Sequence, residues 1–294
     1  MRAHDVTACI PTLARPDRLE PTLRRLLDGD VVPGSILVSE AAADAEARVA
    51  TQDVLDAVGG STRVSLTLLP PPPNGRRCGN RNWLAYHAAS RYIVFLDDDI
   101  DVPATFLAEA LATLRDSHVG IVVAASHDVR GSGWLTHRCH FRPIRNDEPI
   151  AVGCQLAVWR TELFRSLWLD ENIVYGSEES DISIRLYADH PRRICKQSSV
   201  TFLDRGGLAP DAPITIGRRD DIERSRCYTA VRRYHRRRPQ LLGFLGHEVV
   251  ANALKLRRPL PRGLVPGQWR DVAAYLFGGA LPSWITSVKV SVER

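Results

Sequence analysis

The chain has no CxxC pair: its six cysteines, Cys9, Cys78, Cys139, Cys154, Cys195 and Cys227, are scattered at spacings that suit neither a zinc site nor a disulfide framework. Reduced, packed thiols are expected. The nine histidines show no HxxxH spacing of the kind that places two imidazoles on one helix face for a metal. A spanning helix is missing too. From Val272 to Val288 there are 17 residues without a charge, but Gly278, Gly279, Pro282 and three hydroxyl side chains interrupt them. They read as a buried or interface-lying segment, with docking on a membrane surface as an option. Met1 to Asp5 leads straight into a strand-like run, Val6 to Ile10, leaving no room for the apolar core of a signal peptide. A cytoplasmic location is therefore expected, with peripheral contact at the inner face of the membrane as a variant of it.

What is there bounds the class. A length of 294 residues suits one large domain, or one domain with a small appendage. Hydrophobic residues at 44% and charged residues at 25% exclude a mainly disordered, collagen-like, coiled-coil or polytopic membrane chain. The net charge of +5 is unevenly spread. From Arg205 to Arg270 there are 14 Arg and one Lys against five acids, a local net charge of +10 that leaves −5 for the rest. Such a tail can meet nucleic acid, an anionic membrane face or phosphorylated ligands, and it can equally be a solvated Arg-rich surface. No nucleic-acid-binding motif accompanies it, so no nucleic acid is expected as a partner.

The first 125 residues alternate short apolar runs with helical patterns. Strands are predicted at Val6–Pro11, Ser35–Ser39, Val64–Leu69, Tyr92–Leu96 and Val119–Ala125, and helices at Asp17–Leu27, Ala41–Val58, Asn80–Ser90 and Pro103–Leu114. Asp17 and Glu20 are spaced as a capping box. This rhythm predicts an α/β fold, a mainly parallel sheet with helices on both faces. His127 to Pro149 suits a long loop or a pair of irregular strands, and two helices follow, Thr161–Leu167 and Ser180–Asp189. A boundary is expected after Gly206-Gly207, dividing a first domain, 1–207, from a mainly helical, basic extension, 208–294. No internal repeat stands out.

Two clusters carry chemistry. Tyr92 to Leu96 is an apolar strand that ends in Asp97-Asp98-Asp99. Ligands of open α/β sheets bind outside the carboxyl ends of strands, and three adjacent carboxylates repel one another unless something positive joins them. A hard divalent cation, Mg²⁺ or Mn²⁺, that also bridges substrate phosphates is one partner; a helix cap supplied by a single Asp is the plainer account. The second cluster, Gly176-Ser177-Glu178-Glu179-Ser180-Asp181, opens a helix, where the macrodipole favours acids. A carboxylate there could also take the proton of an acceptor hydroxyl.

Together these segments resemble the family 2 glycosyltransferases, inverting enzymes with the GT-A fold, from Val6 to about Gly207. Ala8 to Pro16, with Pro11-Thr12 and Arg15-Pro16, resembles the family's opening strand; Gly79-Asn80-Arg81-Asn82 is similar to its Ala-Arg-Asn helix start. Phe95 to Asp99 resembles the metal-binding DxD signature, and Glu178-Glu179-Ser180-Asp181-Ile182 the Glu-Asp-x-Asp-Leu helix. The resemblance implies transfer of a sugar from a nucleotide-diphosphate donor, a UDP- or TDP-sugar, to a hydroxyl of a small molecule, lipid or glycan, with Mn²⁺ or Mg²⁺ as cofactor. It places Pro11, Thr12, Arg15 and Arg81 near the nucleotide, Asp97 at its ribose or base, and Asp98 and Asp99 on the metal. Glu179 is implied as the base, with Glu178 and then Asp181 as substitutes.

Three departures bear on this. Where relatives end the second strand in Asp-Asp, the chain has Ser39-Glu40, so Glu40 is expected to meet the nucleobase with a longer arm. Glu179 stands where Asp is usual. Near the end of the domain Asp204 occupies the neighbourhood of a metal-binding His, and either replaces it or leaves the metal to the triplet. Trp134, Gln155 and Trp159 are candidates for the acceptor wall, since aromatic surfaces suit sugar rings. Two other readings stay open: a sugar nucleotidyltransferase, disfavoured by the lack of a Gly-rich, Lys-bearing phosphate loop after the first strand, and a nucleotide-sugar or membrane-surface binding protein without turnover.

Overall fold

The computed structural model describes residues 3–128, 131–135, 141–142, 154–190, 194–205, 216–234, 239, 241–243, 266–277 and 279–292. Its first half follows the predicted rhythm: β1 (Val6–Thr12), α1 (Pro16–Leu27), β2 (Ser35–Glu40), α2 (Ala45–Gly59), β3 (Ser65–Leu68), α3 (Arg77–His87), β4 (Tyr92–Leu96), β5 (Ile100–Asp101) and α4 (Phe106–Thr113). β6 (Val119–Asp128), β7 (Gly131–Leu135), β8 (Phe141–Arg142), β9 (Leu156–Arg160), α5 (Thr161–Leu167), α6 (Glu178–Asp189) and β10 (Ile194–Asp204) come next. Helices α7 (Ile216–Tyr234), α8 (Pro266–Leu276) and α9 (Ser283–Thr286) complete the described elements.

The sheet runs β3-β2-β1-β4-β9-β6-β10-β5, with the β7–β8 hairpin on β6. β3, β2, β1 and β4 are mutually parallel, as are β6 and β10. β9 enters antiparallel between β4 and β6, pairing Ile93 with Trp159 on one side and Val122 with Val158 on the other. β5, β9 and β10 have no counterpart in the sequence-level reading. β9 is five residues buried on both faces, so it shows neither alternation nor helical period.

Alternation sorts the sheet's side chains into two cores, because successive residues of a strand point to opposite faces. Val6, Ala8, Ile10, Tyr92, Val94, Leu96 and Val158 meet the apolar stripes of α1, α2 and α4. Cys9, Ile93, Phe95, Ala157 and Trp159 meet α3, α5 and α6. The second core also takes Cys227, Tyr228 and Val231 of α7, Val272 of α8, Ile285 of α9 and Val292.

Capping differs from the pattern expected at α1. Pro16 takes the first helical position, for which its fixed φ and missing N–H suit it, and Arg15 becomes the N-cap. Asp17 therefore lies inside the helix, and Glu20 pairs with Arg24 one turn on rather than reaching back. At α2, by contrast, Asp44 caps with its side chain on the Glu46 amide, and the helix starts at Ala45 rather than at the expected Ala41.

The carboxyl-terminal segment is stitched to the loop after α5. Asp170 is fully buried and takes the Tyr228 hydroxyl at 2.8 Å, the Arg232 guanidinium and the Lys289 amide at 3.2 Å. Glu171 takes the Ser291 hydroxyl at 2.6 Å, Asn74 at 2.9 Å and Asn82 at 3.1 Å. Arg232 also lies 3.5 Å from Asp181 on α6. Replacing Arg232 by Ala leaves Asp170 as an uncompensated buried charge, which costs about 3 to 5 kcal/mol. A chemical melt of Arg232→Ala will show that loss in its midpoint; an unchanged midpoint would refute the role given to this clasp.

Candidate active site

β1 and β4 lie side by side, and the chain passes from β1 outward to β2 and β3 but from β4 toward the opposite edge. A crevice opens at the carboxyl ends of strands at such a reversal. Thr12 closes β1 there, and Asp97-Asp98-Asp99 follow β4. Their charge is already answered. Arg15 bridges two of them, Nη2 to Asp98 Oδ1 at 2.7 Å and Nη1 to Asp99 Oδ2 at 2.8 Å, and Arg18 approaches Asp99 at 3.4 Å. Asp97 turns the other way, to Arg81 at 2.5 Å and Arg77 at 3.5 Å. Burial pushes the Asp98 carboxyl up to about 6, while the hydrogen bond from the Thr12 hydroxyl at 2.6 Å and the Arg15 charge pull against it. None of the three carboxylates caps α4, whose N-cap is Thr105.

The second acidic cluster arrives through a sharp turn. Gly176 and Ser177 both adopt left-handed backbone, φ 72° and 67°, and α6 begins at once with Glu178, two residues before the expected Ser180. A non-glycine residue held there stores strain, as often occurs beside functional groups. Glu178 is 1% exposed and sits 2.9 Å from Arg77 Nε and 3.7 Å from Arg81 Nη1. Glu179, beside it, is pushed up to about 7, by burial first and then by the Glu178 charge, with Arg77 and Arg81 pulling down. That value suits a group that must accept a proton near neutrality. Asp181 is different: it pairs with Arg185 at 2.9 Å and Arg232 at 3.5 Å, so its charge holds α6 in place and the expectation of it as a reserve base is not met.

Arg77 is the member of this charged cluster that sequence reasoning missed. α3 starts at Arg77 rather than at Asn80, and Arg77 and Arg81, one helical turn apart, each touch both Asp97 and Glu178. The i, i+4 spacing of two arginines ahead of the Asn was the available signal. Arg77 also lies over the Tyr175 ring, 5.4 Å from its centroid.

The remaining candidates separate clearly. Glu40 is fully buried, and both its oxygens are taken: by the Ala14 amide at 3.1 and 3.2 Å, the Ala42 amide at 2.7 Å and the Thr51 hydroxyl at 3.0 Å. It shapes the β1–α1 loop, in which Ala14 has φ 50°, and has no acceptor left for a nucleobase, contrary to expectation. Trp159 is 0% exposed, with its ring edge-on to Phe164 at 5.2 Å; it is core and lines no acceptor surface. Gln155 lies beside the triplet, its carbonyl accepting from the Asp97 amide at 3.0 Å. Trp134 stands opposite Arg142 in the β7–β8 hairpin by backbone register, and its side chain lies outside the described residues, as do His137 and His140. Pro11 pairs with Ser39 in the β1–β2 register. Asp204 is brought opposite Ile100 by β10–β5 pairing, and the neighbouring Arg205 amide donates to the Asp99 carbonyl at 2.7 Å.

Among the described residues no three acidic, His or Cys side chains converge as a metal-binding group. The cause is visible: Arg15 stands between Asp98 and Asp99 while Asp97 faces Arg81. In kind, the donors fit a hard divalent cation. They are carboxylate oxygens, Asp98 Oδ1 is buried with no well-angled hydrogen bond despite its close guanidinium, and Asp204 lies one register step from Asp99.

A family model described as Glycosyl transferase family 2 matches residues 7–176, more than half of the chain. The chain belongs to that family. Its fold is the GT-A fold of solved glycosyltransferases. Residues 1–349 of S. aureus TarS in complex with UDP superpose with a TM-score of 0.59 at 15% identity, over 94% of this chain and 80% of that one. The mannosyltransferase PcManGT from Pyrobaculum calidifontis, in complex with GDP-Man and Mn²⁺, gives 0.59 at 16% identity, over 97% and 86%. Glucosyl-3-phosphoglycerate synthase from Mycobacterium tuberculosis, with Mn²⁺, UDP and glucosyl-3-phosphoglycerate, gives 0.53 at 14% identity, over 78% and 79%. No curated protein sequence matches the chain. This family 2 member thus shares its fold with transferases solved with nucleotides and nucleotide sugars, and no described helix is long and apolar enough to cross a membrane.

Proposed function

We propose that this family 2 glycosyltransferase is metal-dependent and inverting, moving a sugar from a UDP- or TDP-sugar to a hydroxyl of a small molecule, lipid or glycan. The observation that carries the proposal is the junction of two acidic clusters far apart in sequence, Asp97–Asp99 and Glu178-Glu179, through Arg77 and Arg81, with Glu179 poised at about 7 beside them. Fold neighbours solved with UDP, with UDP-GlcNAc and with GDP-Man plus Mn²⁺ support a nucleotide-sugar donor.

In this reading Thr12, Arg15 and Asp97 hold the nucleotide. Asp98 and Asp99 would hold a divalent cation, with Asp204 as a further oxygen donor, and such an ion would supply Lewis-acid stabilisation of the departing nucleoside diphosphate. Arg77 and Arg81 keep Glu178 paired, so that Glu179 is the carboxylate left to take the proton of the acceptor hydroxyl. The acceptor oxygen attacks the anomeric carbon from the face opposite the diphosphate, as the bond to the leaving oxygen breaks and positive charge builds on the sugar. Gln155 and Trp134 border the acceptor side. Residues 1–207 form the transferase domain and 208–294 a basic extension, which supplies peripheral contact with an anionic membrane face.

The product's anomeric configuration, read by proton NMR, tests the mechanism. An α-linked donor will give a β-linked product. Retention would contradict single displacement.

A further inference from the structure

Among the described arginines around the carboxylate triplet, Arg15 is the one that bridges two of its members; Arg18 meets Asp99, and Arg77 and Arg81 meet Asp97. The Arg15 side chain is 39% exposed, whereas the carboxylates it bridges are buried, Asp98 at 0% and Asp99 at 11%. Its backbone is fixed: the preceding Ala14 is held in left-handed conformation by its amide on Glu40, and Arg15 itself caps α1 without a side-chain capping bond. Only the side chain is therefore available to swing. Its Nε is buried with no hydrogen-bond acceptor, a donor still short of an oxygen.

Charge balance gives this a direction. Asp98 and Asp99 carry two negative charges, and Arg15 with Arg18 carries two positive ones. A divalent cation arriving alone would displace or crowd the guanidiniums and leave two positive charges unanswered in a poorly solvated crevice, which is costly. A cation arriving with a diphosphate brings the matching negative charge. Guanidinium is well shaped to meet phosphate oxygens bidentately.

We propose that Arg15 is an exchangeable counter-ion: it occupies the cation's place on Asp98 and Asp99 in the free protein and transfers to the donor's diphosphate when cation and nucleotide bind together. The proposal rests on the metal-dependent donor site argued above. It makes cation and nucleotide binding mutually reinforcing, since the two share one displaced group and coupling between sites is reciprocal.

The test is Mn²⁺ retention by the full chain in equilibrium dialysis, read by electron paramagnetic resonance, with and without UDP. UDP is expected to tighten Mn²⁺ binding to the unaltered protein by at least about tenfold, a coupling within the usual range. Arg15→Gln is expected to bind Mn²⁺ alone about tenfold more tightly than the unaltered protein, and to lose most of the enhancement by UDP. Arg15→Lys, which keeps the charge but not the fork, will fall between them and serves if the Gln variant fails to fold. If UDP enhances Mn²⁺ binding in the unaltered protein but neither variant gains affinity for Mn²⁺ alone, the counter-ion role is refuted and the donor site stands. If no form retains Mn²⁺ with or without UDP, both are refuted.

Discussion

Glu179→Gln will leave nucleotide binding intact and slow sugar transfer at least about 100-fold, the usual worth of a positioned general base. The expected size follows from the surroundings of this side chain. It lies against Glu178, and the two arginines nearby make their contacts with Glu178 rather than with it. Burial and the neighbouring charge raise its carboxyl from an ordinary 4.5 to about 7. As a base it must be deprotonated, so the transfer rate will fall as pH drops below about 7 and level off above it. The Gln variant will lose that limb. Linkage gives the matching sign for folding: a carboxyl raised in the folded state contributes stability fully present below about 4.5 and lost as pH rises through about 7. Near-normal turnover of the Gln variant would move the base to Glu178, which would first have to leave Arg77.

Asp99→Asn will abolish divalent-dependent nucleotide binding, weakening it by at least about 100-fold, or about 2.7 kcal/mol. Of the triplet, Asp97 is spoken for by Arg81 and Arg77, and Asp98 is sealed beneath Thr12 and Arg15. Asp99 keeps some exposure and immediately precedes Ile100, the register partner of Asp204, so it is the carboxylate best placed to present an oxygen outward. An amide of the same shape keeps the packing but removes the charge a hard cation requires. Folding should be little affected, because Arg15 retains Asp98 as partner. Unchanged nucleotide affinity in this variant, measured with Mn²⁺ present, would refute the metal assignment.

Much of this architecture was legible because period and punctuation agree along the first 125 residues. Apolar runs of strand length alternate with amphipathic helices, and Tyr92 to Leu96 ending in three carboxylates announces a strand that delivers ligand-binding groups to its carboxyl end. The site's two acidic clusters were visible for the same reason, since acids at such positions need an explanation. Other features were hidden by physics that acts only in three dimensions. β9 is buried on both faces and so lacks a readable period. Glu40 looked like a base-binding acid at a strand end, yet its value lies in the three local donors that saturate it. Trp159 looked like a sugar platform and is a core residue, because β9 passes through the middle of the sheet. Asp181 shares a helical turn with Glu178 and Glu179, and its pairing with Arg185 one turn on and with Arg232 from α7 shows where its charge is spent. Arg77 needed the true start of α3, three residues before the expected one, to be seen on the same face as Arg81.

The most direct test of the central claim, a metal-dependent nucleotide-sugar site at the ends of β1 and β4, is calorimetric titration of the full chain with UDP, TDP and GDP, each in Mn²⁺, in Mg²⁺ and in EDTA. The account predicts tight binding of UDP or TDP that disappears with the chelator. Binding that persists undiminished in EDTA, or no binding of any of the three nucleotides, would contradict it.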